Sequence, residues 1–148
     1  PEAYRRATAR LRAITSRRRG VPLSHVIAEV NAFTTGWVRY FRHARAKQAL
    51  TALDQWLRRR LRCFRLKQAK TPSGLRSLLT RNGVSRPTAR KLAGSGRGWW
   101  PLANTPQAAH ALSQAWFDQR GLKALVAHYK AVTTTDNRRG TRRVCPVV

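Results

Sequence analysis

Apolar residues in the first half of the chain recur with the spacing of an α-helix. One side of the first predicted helix is formed by Tyr4, Ala7, Leu11 and Ile14. After Pro22, a longer apolar face is formed by Leu23, Val26, Ile27, Val30, Phe33, Trp37, Val38 and Phe41. A third stripe is formed by Leu50, Leu53, Leu57, Leu61 and Phe64. We expect the second and third helices to pack together as a long central hairpin.

Shorter helices are predicted after residue 70. Thr71 and Thr105 each precede a proline, and a capping hydroxyl followed by proline is typical of a helix start. The first of these helices ends at Asn82 and Gly83, and another covers residues 85–93. Residues 95–104 are predicted to form a loop.

Two further apolar faces lie near the end of the chain. One helix is predicted from Ala108, Ala111, Leu112, Ala115 and Trp116. The next is predicted from Leu122, Leu125, Val126 and Tyr129, with Gly121 between the two. From Thr133 onward no helical pattern is evident. No stretch of the chain alternates apolar and polar residues as a β-strand does. The predicted class is therefore all-α, a helical bundle with a long central hairpin followed by several shorter helices.

We divide the chain on this pattern into three parts. Residues 1–70 form the first helical domain, residues 71–132 form a helical continuation, and residues 133–148 form a basic, flexible tail. The chain begins at Pro1 and contains no Met, so we expect it to be part of a longer protein.

Charge points to a polyanionic partner. The chain has 31 Lys and Arg against 5 Asp and Glu, a formal net charge of +26. So few acids cannot neutralise so many bases, whereas a phosphate backbone can, with release of its condensed counterions. Nucleic acid is the predicted partner, and the excess of arginine favours structured RNA because a guanidinium bridges phosphate oxygens and stacks on bases.

The basic residues are also ordered along the predicted helices. Arg58, Arg62 and Arg65 lie along one side of the third helix, where their mutual repulsion is costly unless an anion relieves it. The alternative is a merely solvated face. The predicted phosphate contacts are Arg17, Arg18, Arg19, Arg39, Arg42, Arg45, Lys47, Arg58, Arg59, Arg62, Arg65, Lys67, Lys70, Arg86, Arg90, Lys91 and Arg97.

Other classes of function find little support. The acids are scattered over separate segments, unlike the clustered carboxylates of a two-metal site, and the histidines lie near no cysteine at zinc-ligand spacing. No glycine-flanked serine elbow occurs, and no apolar run approaches a membrane span. Cys63 and Cys145 lie far apart, which favours a reducing compartment. We expect no catalytic site, metal, cofactor or membrane contact.

Two local features leave alternatives open. Residues 78–93 place two short helices about a glycine turn, which resembles a helix-turn-helix and would imply binding in the DNA major groove. Trp99 and Trp100 lie in the predicted loop, where they either stack on exposed bases or fill the space between two lobes.

Several motifs together resemble the maturase-specific domain of group II intron-encoded proteins, also called domain X. These are Val30-Asn31-Ala32, Gly36-Trp37-Val38-Arg39-Tyr40-Phe41, the upstream Arg10-Leu11-Arg12-Ala13-Ile14-Thr15 and the downstream Leu53-Asp54-Gln55-Trp56-Leu57-Arg58-Arg59-Arg60-Leu61. This resemblance covers residues 3–70. The later Gly74-Leu75, Asn82-Gly83-Val84, Arg97-Gly98-Trp99-Trp100 and Gly121-Leu122 are similar to the C-terminal continuation of the bacterial proteins.

The resemblance implies partners and a location. Members have a reverse transcriptase ahead of domain X, which serves as its thumb and grips intron RNA to favour the splicing-competent fold. It therefore implies group II intron RNA, primer-template or target DNA and the reverse transcriptase domain as partners, in a bacterial cytoplasm with the nucleoid or a ribonucleoprotein. The family's paired-aspartate polymerase motif is not found in this sequence.

The resemblance also singles out individual positions, which are Asn31, Gly36, Trp37, Tyr40, Phe41, Asp54 and Trp56. Trp37 and Phe41 lie on the apolar face and are predicted core residues, whereas Tyr40 lies beside it and suits either core or contact. We expect Gly36 to allow another helix to approach, and Asp54 to form a structural ion pair or hydrogen bond.

Overall fold

The computed structural model describes the backbone of residues 2–40 and 47–144, and the side chains of residues 2–39 and 47–134. No strand occurs in these ranges, and the all-α class is confirmed. The described helices are α1 (Glu2–Ile14), α2 (Leu23–Tyr40), α3 (Lys47–Gln68), α4 (Pro72–Arg81), α5 (Arg86–Ala93), α6 (Trp99–Ala103), α7 (Pro106–Ala111), α8 (Gln114–Gln119) and α9 (Leu125–Val144). None of them is long and apolar enough to cross a membrane.

Capping hydroxyls define the starts of three short helices. Thr71 Oγ1 accepts a hydrogen bond from the Gly74 N–H at 3.0 Å, and Thr105 Oγ1 accepts one from the Ala108 N–H at 3.2 Å, which confirms both predicted starts. Ser113 Oγ accepts a bond from the Trp116 N–H at 3.3 Å and begins α8. The single helix predicted across Ala108 to Trp116 is therefore wrong, because Ser113 divides it into α7 and α8.

Two other predicted boundaries are also wrong. Residues 95–104 are not a loop throughout, because they contain α6. Pro101 is compatible with this helix because it lies in the first turn, where a backbone N–H has no partner within the helix. The last helix begins at Leu125 rather than Leu122, and it continues past residue 132 to Val144. The hydroxyls of Thr133 and Thr134 donate to backbone carbonyls four residues earlier, so these threonines fit within a helix.

The core is one connected cluster of buried apolar side chains. It includes the predicted leucine stripe of α3 and, from the later helices, Leu102, Leu112 and Phe117. Helix α3 packs against α6 and α9, α2 against α9 and α1, and α4 against α5. Side chains from both sides of residue 70 share this cluster. The connection of the predicted α2–α3 hairpin, residues 41–46, lies outside the described residues.

Glycines have different roles in this packing. A Cβ at Gly74 would lie 2.4 Å from the backbone oxygen of Ala69, so only glycine fits where α4 begins beside the end of α3. Gly83 has φ +95°, the left-handed conformation that turns the chain between α4 and α5. The role expected for Gly36 is wrong within the described residues, where a Cβ would meet no atom within 4 Å.

The segment 121–126 is held to the first part of the chain by two polar side chains, of which Asn31 on α2 is the first. Its Nδ2 donates to the Gly121 carbonyl at 2.7 Å, and its Oδ1 accepts from the Lys123 N–H at 3.0 Å. A carboxamide has both an N–H donor and a carbonyl acceptor, so one side chain can bond to a C=O and an N–H of the same backbone segment. Asn31 therefore holds the turn between α8 and α9.

Asp54 on α3 binds the beginning of α9. Its two carboxylate oxygens accept from the N–H groups of Leu125 at 2.8 Å and Val126 at 3.0 Å, and the side chain is only 5 % exposed. These amides have no partner within their own helix, and a carboxylate there also complements the helix dipole. The structural role expected for Asp54 is confirmed as a pair of hydrogen bonds.

The protonation of Asp54 reflects two opposed influences. Burial raises the pKa of its carboxyl above the ordinary value, and the two backbone donors, with the charge of Arg58, offset only part of this effect. The ionised carboxylate is therefore costly in the fold, while the loss of its acceptor oxygens would leave two amides unpaired.

We predict that Asp54→Ala lowers the free energy of unfolding by at least about 2 kcal/mol, because each orphaned amide costs about 1–3 kcal/mol. Asp54→Asn should cost less, since it retains one acceptor oxygen and removes the buried charge. Urea denaturation followed by circular dichroism measures both variants. The exposed Asp118→Ala is the control, with an expected change within about 0.5 kcal/mol. Similar losses for Asp54→Ala and Asp118→Ala would contradict the prediction.

Candidate nucleic-acid interface

Most described cationic side chains have no carboxylate partner. Among these residues Arg6 pairs with Glu2, and Glu29 pairs with both Arg19 and His25. The hydrogen bond from Arg19 lowers the pKa of the Glu29 carboxyl. Asp54 is already occupied by backbone amides. The remaining arginines are therefore left with carbonyl oxygens, aromatic faces, water or a bound anion as partners.

Arginines in the middle of α3 are used within the protein. Arg59 donates to the Trp100 carbonyl from Nη2 at 2.9 Å and from Nε at 3.3 Å, and its guanidinium lies 3.7 Å from the Trp100 ring centroid. Arg62 Nε donates to the Ala103 carbonyl at 3.1 Å. Both side chains therefore fasten α6 to α3, because the last carbonyls of a short helix need donors.

The predicted arginine column of Arg58, Arg62 and Arg65 is therefore not one free surface. Arg62 is committed to α6, and burial lowers the pKa of its guanidinium. Arg58 lies close enough to lower the pKa of Asp54, and Arg65 lines a pocket with residues from other helices. Helix periodicity places these residues on one side of α3 without revealing that α6 covers part of it.

The two adjacent tryptophans have a packing role. Trp99 and Trp100 are half-buried against the core in α6. Arg59 covers one face of Trp100. Of the two alternatives for this pair, the structure favours filling space between helices.

A first basic cleft lies between the α1–α2 loop and the end of α3. We call it the loop cleft. It has a volume of about 520 Å³ and is lined by Arg17, Arg19, Gly20, Val21, Pro22, Phe64, Lys67, Gln68 and Lys70. Lys67 Nζ donates to the Arg17 carbonyl at 3.1 Å, and Gln68 Nε2 donates to the Val21 carbonyl at 3.2 Å. The structure thus brings four predicted contacts together, although some of their donors are used to hold the loop.

A second cleft lies between α4 and α5, and every residue that lines it is an arginine or bears a hydroxyl. We call it the hydroxyl–arginine cleft. Its volume is about 410 Å³, and its lining is Ser73, Arg76, Ser77, Thr80, Arg81, Arg86 and Arg90. Arg86 and Arg90 are exposed, and no carboxylate is among the lining residues. Guanidinium and hydroxyl groups are the donors that phosphate oxygens accept.

A third cavity, which we call the central pocket, lies among α2, α3, α4 and α8. Its volume is about 500 Å³, and it is lined by Leu23, Ser24, Ile27, Arg65, Leu78, Arg81, Asn82, Trp116 and Arg120. Burial lowers the pKa of Arg65, and the charges of Arg81 and Arg120 lower it further. Three guanidinium groups therefore meet here, and Arg81 also lines the hydroxyl–arginine cleft.

The other predicted contacts do not converge. Arg18, Arg39, Lys47, Lys91 and Arg97 are exposed on separate elements. Arg42, Arg45 and Phe41 lie outside the described residues, as does the side chain of Tyr40. No group of three or more His, Cys, Asp or Glu among the described residues could hold a metal.

The remaining family-motif residues pack within the fold. Trp37 is half-buried against the core, with its ring centroid 6.5 Å from that of Tyr4. Its predicted core position is confirmed. Trp56 is half-buried, and the guanidinium groups of Arg12 and Arg60 lie 5.8 and 5.7 Å from its ring centroid. These aromatic side chains thus stabilise the helices rather than face an open cleft.

Sequence reasoning missed Arg76, Arg81 and Arg120, which line the hydroxyl–arginine cleft or the central pocket. A signal for the first two was present, because Ser73, Ser77 and Thr80 recur with helical spacing on α4. Arg120 had no such signal. Its guanidinium lies 3.5 Å from the Trp116 ring centroid, and α8 approaches α3 and α4 only in the tertiary fold.

The fold and its clefts define a helical domain in which unpaired cations are gathered from several elements. Residues 4–83 match the family described as "Group II intron, maturase-specific domain". This match covers more than half of the chain, so the chain belongs to that family, and the resemblance seen in the sequence is confirmed. The matched range continues beyond residue 70 and includes α4. A search of curated proteins finds no match to the chain.

Stability measurements should separate the arginines that pack from those that do not. Arg59→Ala removes two hydrogen bonds and a cation–π contact, so we predict a loss of about 1–3 kcal/mol in the free energy of unfolding. Arg86→Ala, at an exposed position of the hydroxyl–arginine cleft, should change it by less than about 0.5 kcal/mol. Urea titrations at one salt concentration measure both. A loss for Arg86→Ala as large as that for Arg59→Ala would contradict this division.

Proposed function

We propose that this chain is an RNA-binding maturase domain that stabilises the splicing-competent fold of a group II intron. Family membership supports the RNA partner, and the hydroxyl–arginine cleft is the observation on which the proposal rests. Four arginines and three hydroxyl side chains line that cleft together. Placed against closely spaced phosphates, they would reduce the repulsion that opposes a compact RNA fold. The protein binds the RNA and carries no cofactor of its own, and the RNA performs the splicing chemistry.

Donor chemistry supports RNA as the ligand of this cleft. Serine and threonine hydroxyls both donate and accept, so they can bond either to phosphate oxygens or to ribose 2′-hydroxyls. Arginine forks bridge two phosphate oxygens. Arg86 and Arg90 on α5 face Arg76 and Arg81 on α4 across the cleft, so a phosphodiester strand could lie between the two helices.

In a full-length protein, we propose that the same domain serves as the thumb of a reverse transcriptase. A primer-template or target DNA would then contact part of this surface, and the polymerase domain would be a protein partner. Such a protein would act in the bacterial cytoplasm, with the nucleoid or within a ribonucleoprotein.

A DNA-binding module is the second candidate, and the packing of α4 against α5 favours it. These helices flank a turn at Gly83, and α5 presents Arg86, Arg90 and Lys91 at exposed positions. A major-groove reader would place α5 against duplex DNA and use the same side chains. Comparison of RNA with duplex DNA distinguishes the two functions.

The test measures affinity for a structured group II intron RNA, an unrelated structured RNA and a duplex DNA at matched salt. We expect the intron RNA to bind most tightly. Replacement of Arg76, Arg86 and Arg90 together by Gln should reduce the slope of log affinity against log salt by about 2–3 units, because three phosphate contacts are lost. Fluorescence anisotropy over a range of salt concentrations gives both quantities.

A charge-matched variant provides the control. Arg5, Arg10 and Lys123 are exposed outside the three cavities, and their replacement by Gln removes the same net charge. We expect this control to retain most of the salt dependence. Equal affinity for all three polymers, or the same slope change in both triple variants, would contradict the proposed function.

A further inference from the structure

We propose that the central pocket receives a single unpaired nucleotide of the bound RNA, with its phosphate at Arg65 and Arg81 and its base stacked on Arg120. This inference rests on the proposed function and assigns a distinct task to one cavity. The pocket has a volume of about 500 Å³, within the range of about 300–1,000 Å³ typical of small-ligand sites. It is therefore large enough for one nucleotide.

The positive charges in the pocket favour the binding of an anion. Arg65 interacts unfavourably with both Arg81 and Arg120, and none of the three pairs with a carboxylate among the described side chains. Burial and these like charges lower the pKa of Arg65. A phosphate between Arg65 and Arg81 would relieve this repulsion, since a guanidinium binds phosphate through paired hydrogen bonds.

Arg120 is arranged for stacking. Its guanidinium lies 3.5 Å from the Trp116 ring centroid, and its Nη1 donates to the Trp116 carbonyl at 3.1 Å. Trp116 is itself only 8 % exposed, so it forms a rigid support. One face of the guanidinium is covered by this ring while the residue remains exposed to solvent. The opposite face is consequently free to stack on a base, which arginine planes do in RNA recognition.

The other walls suit a base and a ribose better than an inorganic ion. Ile27 and Leu78 give the pocket apolar surface beside the arginines. Apolar walls with a few convergent polar groups are typical of sites that bind organic ligands. A base in a paired helix is stacked on both sides and cannot enter, so the occupant must be a bulged or single-stranded nucleotide.

The position of Arg81 links this nucleotide to the rest of the RNA. Arg81 lines the central pocket and the hydroxyl–arginine cleft, which places the two cavities on either side of one side chain. A strand in the cleft would therefore have its next nucleotide beside the pocket opening. The pocket would determine which nucleotide of the strand lies beside Arg81. Contacts in the cleft by themselves would be made only to the backbone.

The experiment uses the whole chain and three RNA hairpins of one sequence: fully paired, with a single bulged adenosine, and with an abasic residue at the bulge. We expect the bulged hairpin to bind about tenfold more tightly than the paired one, a difference of about 1.4 kcal/mol, because stacking of one base adds to the affinity. The abasic hairpin should lose most of this preference. Arg120→Lys retains the charge without the planar face, so the preference should disappear while affinity for the paired hairpin is nearly unchanged.

Arg10→Lys is the matched control, because it exchanges the same residue types at an exposed position outside the three cavities and should leave the bulge preference intact. Arg65→Gln is the second variant, and it should weaken binding of the bulged hairpin without lowering the thermal unfolding midpoint, since it removes a repelled charge. Tight binding of all three hairpins alike, or a bulge preference unchanged in Arg120→Lys and Arg65→Gln, would overturn this proposal alone. Failure to prefer any RNA hairpin over a matched DNA hairpin would overturn the proposed function as well.

Discussion

The hydrogen bonds of Asp54 and Asn31 to segment 121–126 are the interaction on which the rest of this structure depends. Both side chains belong to the family-matched residues 4–83, and both bind backbone in the continuation that follows. Asp54 supplies the acceptors that α9 lacks at its beginning, and Asn31 holds the turn before it. Through that turn, α8 with Trp116 and Arg120 is held beside α3 and α4.

This arrangement explains how a chain with a formal net charge of +26 has a compact core. Some cations use backbone carbonyls as partners, as Arg59 and Arg62 do with α6. Arg60 likewise donates to Thr15 Oγ1 and to the Arg12 carbonyl. Other arginines meet in the hydroxyl–arginine cleft and the central pocket, where no lining residue is a carboxylate. Folding thus separates structural arginines from those that an anion can still neutralise.

Helices were predicted well where apolar spacing or a capping hydroxyl within the helix itself marked them. Apolar periodicity identified α1 to α3, the hydroxyls of Thr71 and Thr105 identified two helix starts, and helix-end signals identified the extents of α4 and α5. The division at Ser113 and the continuation of α9 were missed because a serine or threonine suits either a helix boundary or a helix interior. The site was less predictable. Whether Arg62 meets a carbonyl or Arg120 meets a tryptophan depends on which helices become neighbours, and spacing does not encode that.

The most direct test is a double-mutant cycle between Asn31 and Arg120 in which RNA affinity is measured. It asks whether the hydrogen bonds of Asn31 on α2 position Arg120 in the central pocket. Asn31→Ala and Arg120→Ala are made singly and together, and the affinity for one bulged RNA is measured at fixed salt. The two side chains lie on different elements, so independent sites would give additive losses within about 0.5 kcal/mol. We predict that the double variant loses clearly less than the sum, because Asn31 acts through the placement of Arg120. Additive losses would contradict this account.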